Sequence, residues 1–148
     1  MILEFNNQTK FRVNQALFKK TIAAFASVTR QPLSAIVSLA VINDQEMRKW
    51  NLIYQSCQGT TDVLAFPARE GGKRGFNHLA EQRNFLGEIV ISYPQAKKQA
   101  KARGHSLNQE LVILFIHGLL HLIGYDHQNV SQTKRLERMT QKIYVHQL

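Results

Sequence analysis

The apolar positions of the chain change their period several times, and each change predicts an element. MILEF (1–5) reads as a short strand. Between residues 13 and 29, Val13, Leu17, Ile22, Phe25 and Val28 recur at helical spacing and predict an amphipathic helix. AIVSLAVI (35–42) is β-branched and largely apolar, the pattern of a buried strand. NDQEMRKWNLIYQ follows, with Asn43 or Asp44 as N-cap and Glu46 in the first turn, and predicts a second helix. TTDVLAFPA predicts a strand carrying Val63, Leu64 and Phe66 and stopped by Pro67. Residues 69–85 are polar, glycine-bearing and aperiodic, which predicts a surface loop; a loop this long in a compact domain is usually functional or mobile. GEIVIS (87–92) is a further strand. A helix follows with Pro94 near its start and Gly104 as its stop. Ser106, with Gln109 three residues on, forms a capping-box pattern before the most apolar helix of the chain, which Gly124 ends. A last helix takes Ser131 as its cap and shows the stripe Leu136, Met139, Ile143. The order β-α-β-α-β-β-α-α-α predicts an α/β (α+β) fold in one compact domain over 1–148, a small mixed four-stranded sheet packed with about five helices.

Composition adds compartment and partner. The 148 residues suit one domain, and 44% hydrophobic content is enough for a core and argues against disorder. Cys57 is the one cysteine; it cannot close an intrachain disulfide and reads as an inert free thiol. The first residues, MILEFNNQTK, lack the basic segment and long apolar run of a secretory signal. The longest apolar run, 111–124, holds two histidines and is shorter than the ~20 residues of a membrane span. The expected location is the cytoplasm, with no membrane partner. Net charge is +9 and the pI is near 10.0, which favours a polyanion, since Lys and Arg release condensed counterions from phosphates. Much of the excess lies mid-chain, in Arg69, Lys73, Arg74, Arg83, Lys97, Lys98, Lys101 and Arg103.

The chemistry is concentrated in HGLLHLIGYDH (117–127), with its H-x3-H-x5-H spacing. His117 and His121 stand four apart on the predicted helix, one turn above the other on one face, so both imidazoles can reach one ion. Gly124 lets the chain turn, because glycine accepts positive φ, and His127 can then fold back as a third ligand. Three nitrogens leave a tetrahedral zinc with one open position, as catalytic sites do. Imidazoles also suit copper, iron and nickel, so zinc is the default. The spacing is that of the metzincin peptidases, H-E-x-x-H-x-x-G-x-x-H, yet Gly118 stands where their general-base glutamate belongs. Peptide hydrolysis by that route is therefore not expected.

HGLLHLIGYDH resembles the motif of the YbeY family of bacterial endoribonucleases. TTDVLAFP (60–67) resembles that family's TDVLSFP segment, LGEIVIS (86–92) its LGDIVIS strand, and 104–127 follows the family pattern nearly throughout. The resemblance runs from about residue 35 to 139. It implies a single-domain metalloprotein that cleaves single-stranded RNA and not DNA. It implies action in ribosomal RNA processing, at the 3′ end of the small-subunit (16S) RNA, and in ribosome quality control. Ribosomal or small-subunit proteins are the implied partners. It implies one zinc ion per chain, held by His117, His121 and His127. Gln55 stands where the family usually carries an arginine, and Arg69 or Arg83 is a candidate to compensate; Ala65 replaces a serine, and Glu88 an aspartate. Asp126, Asp62 and Glu88 are the candidate general bases, although Asp126 can equally orient a histidine and Asp62 can cap a turn. Two other readings stay open: a ribosome-assembly factor that binds RNA with a mainly structural metal, and a zinc hydrolase of another substrate.

Overall fold

Two parallel pairings and one antiparallel pairing build the sheet. In a computed structural model, which describes residues 1–55, 61–68 and 84–148 except the side chains of Tyr54 and Gln55, four strands lie in the order β1-β2-β4-β3. They are β1 (Ile2–Asn7), β2 (Ile36–Ile42), β3 (Val63–Pro67) and β4 (Phe85–Ser92). β2 pairs parallel with β1 and β4, and β3 runs antiparallel along β4. Parallel neighbours need a crossover. Helix α1 (Gln15–Thr29) supplies it between β1 and β2. Helices α2 (Asp44–Gln55), α3 (Tyr93–Arg103), α4 (Leu107–Leu122) and α5 (Val130–His146) complete the order that the hydrophobic pattern predicts. Cys57, Arg69 and Arg83 lie outside the described residues, as does the expected loop up to residue 83.

The boundaries shift for identifiable reasons. β4 begins at Phe85, not Gly87, because Phe85 still pairs with Ile36 across a register irregularity at Ile36/Val37. Helix α5 is capped by Asn129, not Ser131; the Asn129 side chain accepts the Gln132 N–H at 2.8 Å. Asn43 resolves the choice at α2, since its Oδ1 accepts the Glu46 N–H at 2.9 Å. Pro67 closes β3, an edge strand, where a missing N–H breaks no central ladder.

Side chains alternate between the two faces of the sheet. One face carries Val37, Leu39, Ile89 and Ile91 against Phe18, Ile22, Phe25, Phe115 and Leu119, a core shared with α1, α4 and α5. The other face carries Ala40, Ile42, Leu64, Phe66 and Val90 against Met47 and Trp50 of α2. Helix α4 lies in the middle, against β3, β4, α1, α3 and α5. Its N-terminal end is pinned by an ion pair from a half-exposed arginine to a buried carboxylate. Glu110 is 0% exposed, and Arg103 Nη1 donates to its Oε1 at 2.6 Å while His105 Nε2 lies 3.2 Å from Oε2. A carboxylate buried this deeply needs such partners, and they fix the α3–α4 turn.

Candidate metal centre

Helix α4 starts with its full capping box: Ser106 Oγ accepts from Gln109 N, and Gln109 Oε1 accepts from Ser106 N. Ten of its residues are buried, which explains why the segment is apolar on nearly every side. His117 and His121 occupy the remaining stripe and line a cavity of about 580 Å³. Gly118, between them, answers why no glutamate follows the first histidine. A Cβ at 118 would meet Ile89 Cγ2 at 2.7 Å, and Ile89 is fully buried in the sheet. The position is a point of close helix–sheet approach, and no side chain fits there.

The chain turns back just beyond Leu122. Tyr125 N donates to Leu120 O at 3.0 Å, Gly124 N to His121 O at 3.1 Å, and Gly124 holds a φ of +104°. This left-handed glycine closes the helix and returns Asp126 and His127 beside His121. The His121 and His127 rings sit 5.1 Å apart, centroid to centroid, at 77°. One ligand atom from each of His121, Asp126 and His127 falls within 4.8 Å of the others, a set that can hold a metal ion. The turn is tied down by His127 N donating to Asp126 Oδ1 at 2.7 Å, and Thr133 Oγ1 of α5, which donates to Asn129 O at 2.9 Å, lies 3.4 Å from His127 O.

His121 and His127 are therefore together as the spacing predicts. His117 lines the same cavity but stands outside this tightest set, and the adjacent Asp126 stands inside it. Two imidazoles and a carboxylate, with a third imidazole on the same wall, fit an ion of the zinc class in donor chemistry. Protonation states agree. Burial pushes His117 down from 6.5 to about 4, with Asp62 opposing and His121, Arg103 and His127 reinforcing. Burial also lowers His121, with His127 adding to it and Asp126 and a backbone hydrogen bond at Tyr125 opposing. Both rings are neutral at neutral pH, the form a metal requires.

Asp62 and Glu88, both read as candidate bases, part company. Asp62 lies on the cavity wall just before β3; its Oδ1 accepts from Val63 N at 2.8 Å and its Oδ2 from Gln99 Nε2 at 3.0 Å. Glu88 is 1% exposed and belongs to the other face of the sheet, where it lines a separate cavity with Glu4 and Ser38. Parity settles this: Ile89 faces α4, so Glu88 faces away. The sequence reading missed Gln99, Thr133 and Glu137, the last two being cavity-lining residues of α5. Their signal was weak, since α5 read only as an apolar stripe with polar residues between.

The family described as endoribonuclease YbeY matches residues 3–147. A relative of that name from Caldanaerobacter subterraneus subsp. tengcongensis is 34% identical over 148 residues, covering 96% of this chain and 94% of its own. Another of the same name, from Helicobacter pylori, is 37% identical over 134 residues, covering 90% and 84%. Among solved structures, the solution structure of TM1509 from Thermotoga maritima superposes with a TM-score of 0.60 at 19% identity, over 97% of this chain and 90% of that one. That likeness supports the fold.

Proposed function

The chain belongs to the YbeY family of endoribonucleases, and from that premise we propose that it is a zinc-dependent, single-strand-specific endoribonuclease acting on ribosomal RNA. The observation that carries the reading is the donor set of His121, Asp126 and His127 at a cavity that His117 and Asp62 also line. The proposed ligands are His117, His121 and His127, with Asp126 orienting the turn through the His127 N–H. A divalent ion held there supplies Lewis-acid chemistry to a phosphodiester. Asp62 stands outside the donor set and is fixed by Gln99 and Val63, which leaves its carboxylate to take the proton of an attacking hydroxyl. The net charge of +9 suits an RNA substrate. Maturation of the small-subunit RNA 3′ end, work beside ribosomal proteins and a cytoplasmic site of action complete the proposal. No helix among the described residues is long and apolar enough to cross a membrane, which is compatible with it.

The test pairs metal content with cleavage. Protein purified without chelators is expected to hold about one zinc per chain, as three-ligand sites do. It should cut a single-stranded RNA and leave single-stranded DNA of the same sequence intact. A chelator should stop cleavage and added zinc restore it. A protein that holds its zinc and cuts neither free RNA nor ribosomal particles would instead be an assembly factor with a structural metal.

Asp62→Asn separates proton transfer from ion binding. It is expected to retain metal within about tenfold in affinity, read by competition with a chelating dye, and to slow cleavage about a hundredfold, the usual worth of a general base. Matching losses in the two readouts would show that Asp62 acts only through the ion.

A further inference from the structure

Among the described residues, the cavity wall is short of positive charge. Its described lining includes the carboxylates of Asp62, Asp126 and Glu137 and the three histidines, with no Lys or Arg. A divalent ion bound there would offset two of those three negative charges. An RNA phosphate would then enter a site still negative in sum, which costs binding unless a cation stands at the mouth. Three of the described cations are engaged elsewhere. Arg103 is bound to Glu110, Lys49 to Glu46, and Lys10 lies over Phe11.

Arg135 is different. Its guanidinium carbon lies 4.7 Å from the ring centroid of Tyr125, and Tyr125 is part of the cavity wall, in the same turn as Asp126 and His127. Arg135 is exposed on α5 and has no carboxylate within ion-pair distance among the described residues. Stacking on a ring uses the face of the guanidinium and leaves its edge N–H donors unspent. The ring in turn is held by a turn whose backbone is fixed to α4, Tyr125 N donating to Leu120 O at 3.0 Å. A planar donor fork is thus parked beside the metal-binding turn with no hydrogen-bond or ion-pair partner among the described residues.

We infer that Arg135, stacked on Tyr125, binds a phosphate of the single-stranded substrate at the mouth of the metal cavity. This rests on the endoribonuclease reading above and adds to it a residue that specifies where the backbone enters. Arg135 is a binding residue: it sets KM, while the ion and Asp62 set the chemistry.

The experiment compares zinc-loaded wild type, Arg135→Gln, Arg135→Lys and Lys20→Ala on one RNA oligonucleotide across a salt series, with metal content and Tm measured for each. Arg135→Gln is expected to raise KM about tenfold, with kcat within about threefold, as loss of one charge-assisted contact does. Its plot of log(kcat/KM) against log salt should be shallower by about 0.7, the value of one phosphate contact on a single strand. Arg135→Lys should keep the wild-type slope and recover part of KM, since lysine keeps the charge and loses the fork. Lys20→Ala, which removes an exposed charge from α1, should leave both unchanged. If wild type cuts RNA and Arg135→Gln keeps its KM and slope, the inference falls and the enzyme reading stands. It falls equally if Arg135→Lys shows the shallow slope of Arg135→Gln. If wild type, fully loaded, neither binds nor cuts RNA, the enzyme reading falls and takes this one with it.

Discussion

His121→Ala is expected to empty the metal site and to lower RNA cleavage by about a thousandfold or more, the scale on which loss of metal-supplied electrostatics shows. His121 belongs both to the helix and to the turn-side set: it stands one turn from His117 and its ring sits 5.1 Å from that of His127. Removing it takes away the imidazole that the helix pair and the turn-side set share. Bound zinc should fall from about one per chain to below about a tenth under the same purification. The fold should survive, because alanine is the best helix former and α4 is held by its buried face. The far-ultraviolet circular dichroism should match wild type, and the Tm in chelator should stay within a few degrees. His117→Ala and Asp126→Ala complete the experiment. The proposed three-imidazole set predicts that His117→Ala loses metal nearly as fully as His121→Ala, and that Asp126→Ala loses far less. The opposite ranking would make the carboxylate the third ligand and His117 a neutral wall residue.

That ranking matters because sequence and structure emphasise different thirds of the site. The i,i+4 histidines, the capping box and the turn glycine follow local rules, so they are legible from the string of residues alone. So are the nine elements of the described residues and their order, since each carries its own period. What the string hides is everything set by contact between distant segments. Gly118 looks like a missing base until Ile89 of β4 is seen to fill the space. Asp62 and Gln99 meet across the α3–β3 boundary through a hydrogen bond that no spacing announces. Glu88 seemed a candidate beside its apolar neighbours, yet β4 is buried on both faces and shows no alternation from which its side can be read. Arg135 was one cation among many on α5, and only the ring of Tyr125 singles it out. The cap at Asn129 was hidden by competition between two good capping residues two positions apart.

Gly87→Ala is expected to cost about 3 kcal/mol or more of stability and to carry the metal site down with it. Gly87 lies inside β4 at a φ of +144°, where an L side chain is strained. Its added Cβ would also press on the Phe66 carbonyl oxygen, lie 2.7 Å from Leu122 Cδ2 and 3.0 Å from Pro67 Cα. Two of these neighbours are backbone of the paired strand β3 and cannot swing aside, so strain and overpacking add. For a chain of this size a loss of about 3 kcal/mol lowers Tm by roughly 10 °C. Gly104→Ala is the control for conformation alone. Its φ of +71° is also left-handed, but nothing lies within 4 Å of its Cβ, so it should lose about 1 kcal/mol. The functional consequence follows from Leu122, which precedes the turn and follows His121 directly. Relief of the clash must move either β3 or the end of α4, and both carry the cavity wall. Zinc affinity of the folded fraction of Gly87→Ala, measured well below its Tm, is therefore expected to fall as well, whereas that of Gly104→Ala should not. A Gly87→Ala protein with lowered Tm but wild-type zinc affinity would show that the sheet yields at β3 and that α4 holds its place, making the helix, not the strands, the frame of the site.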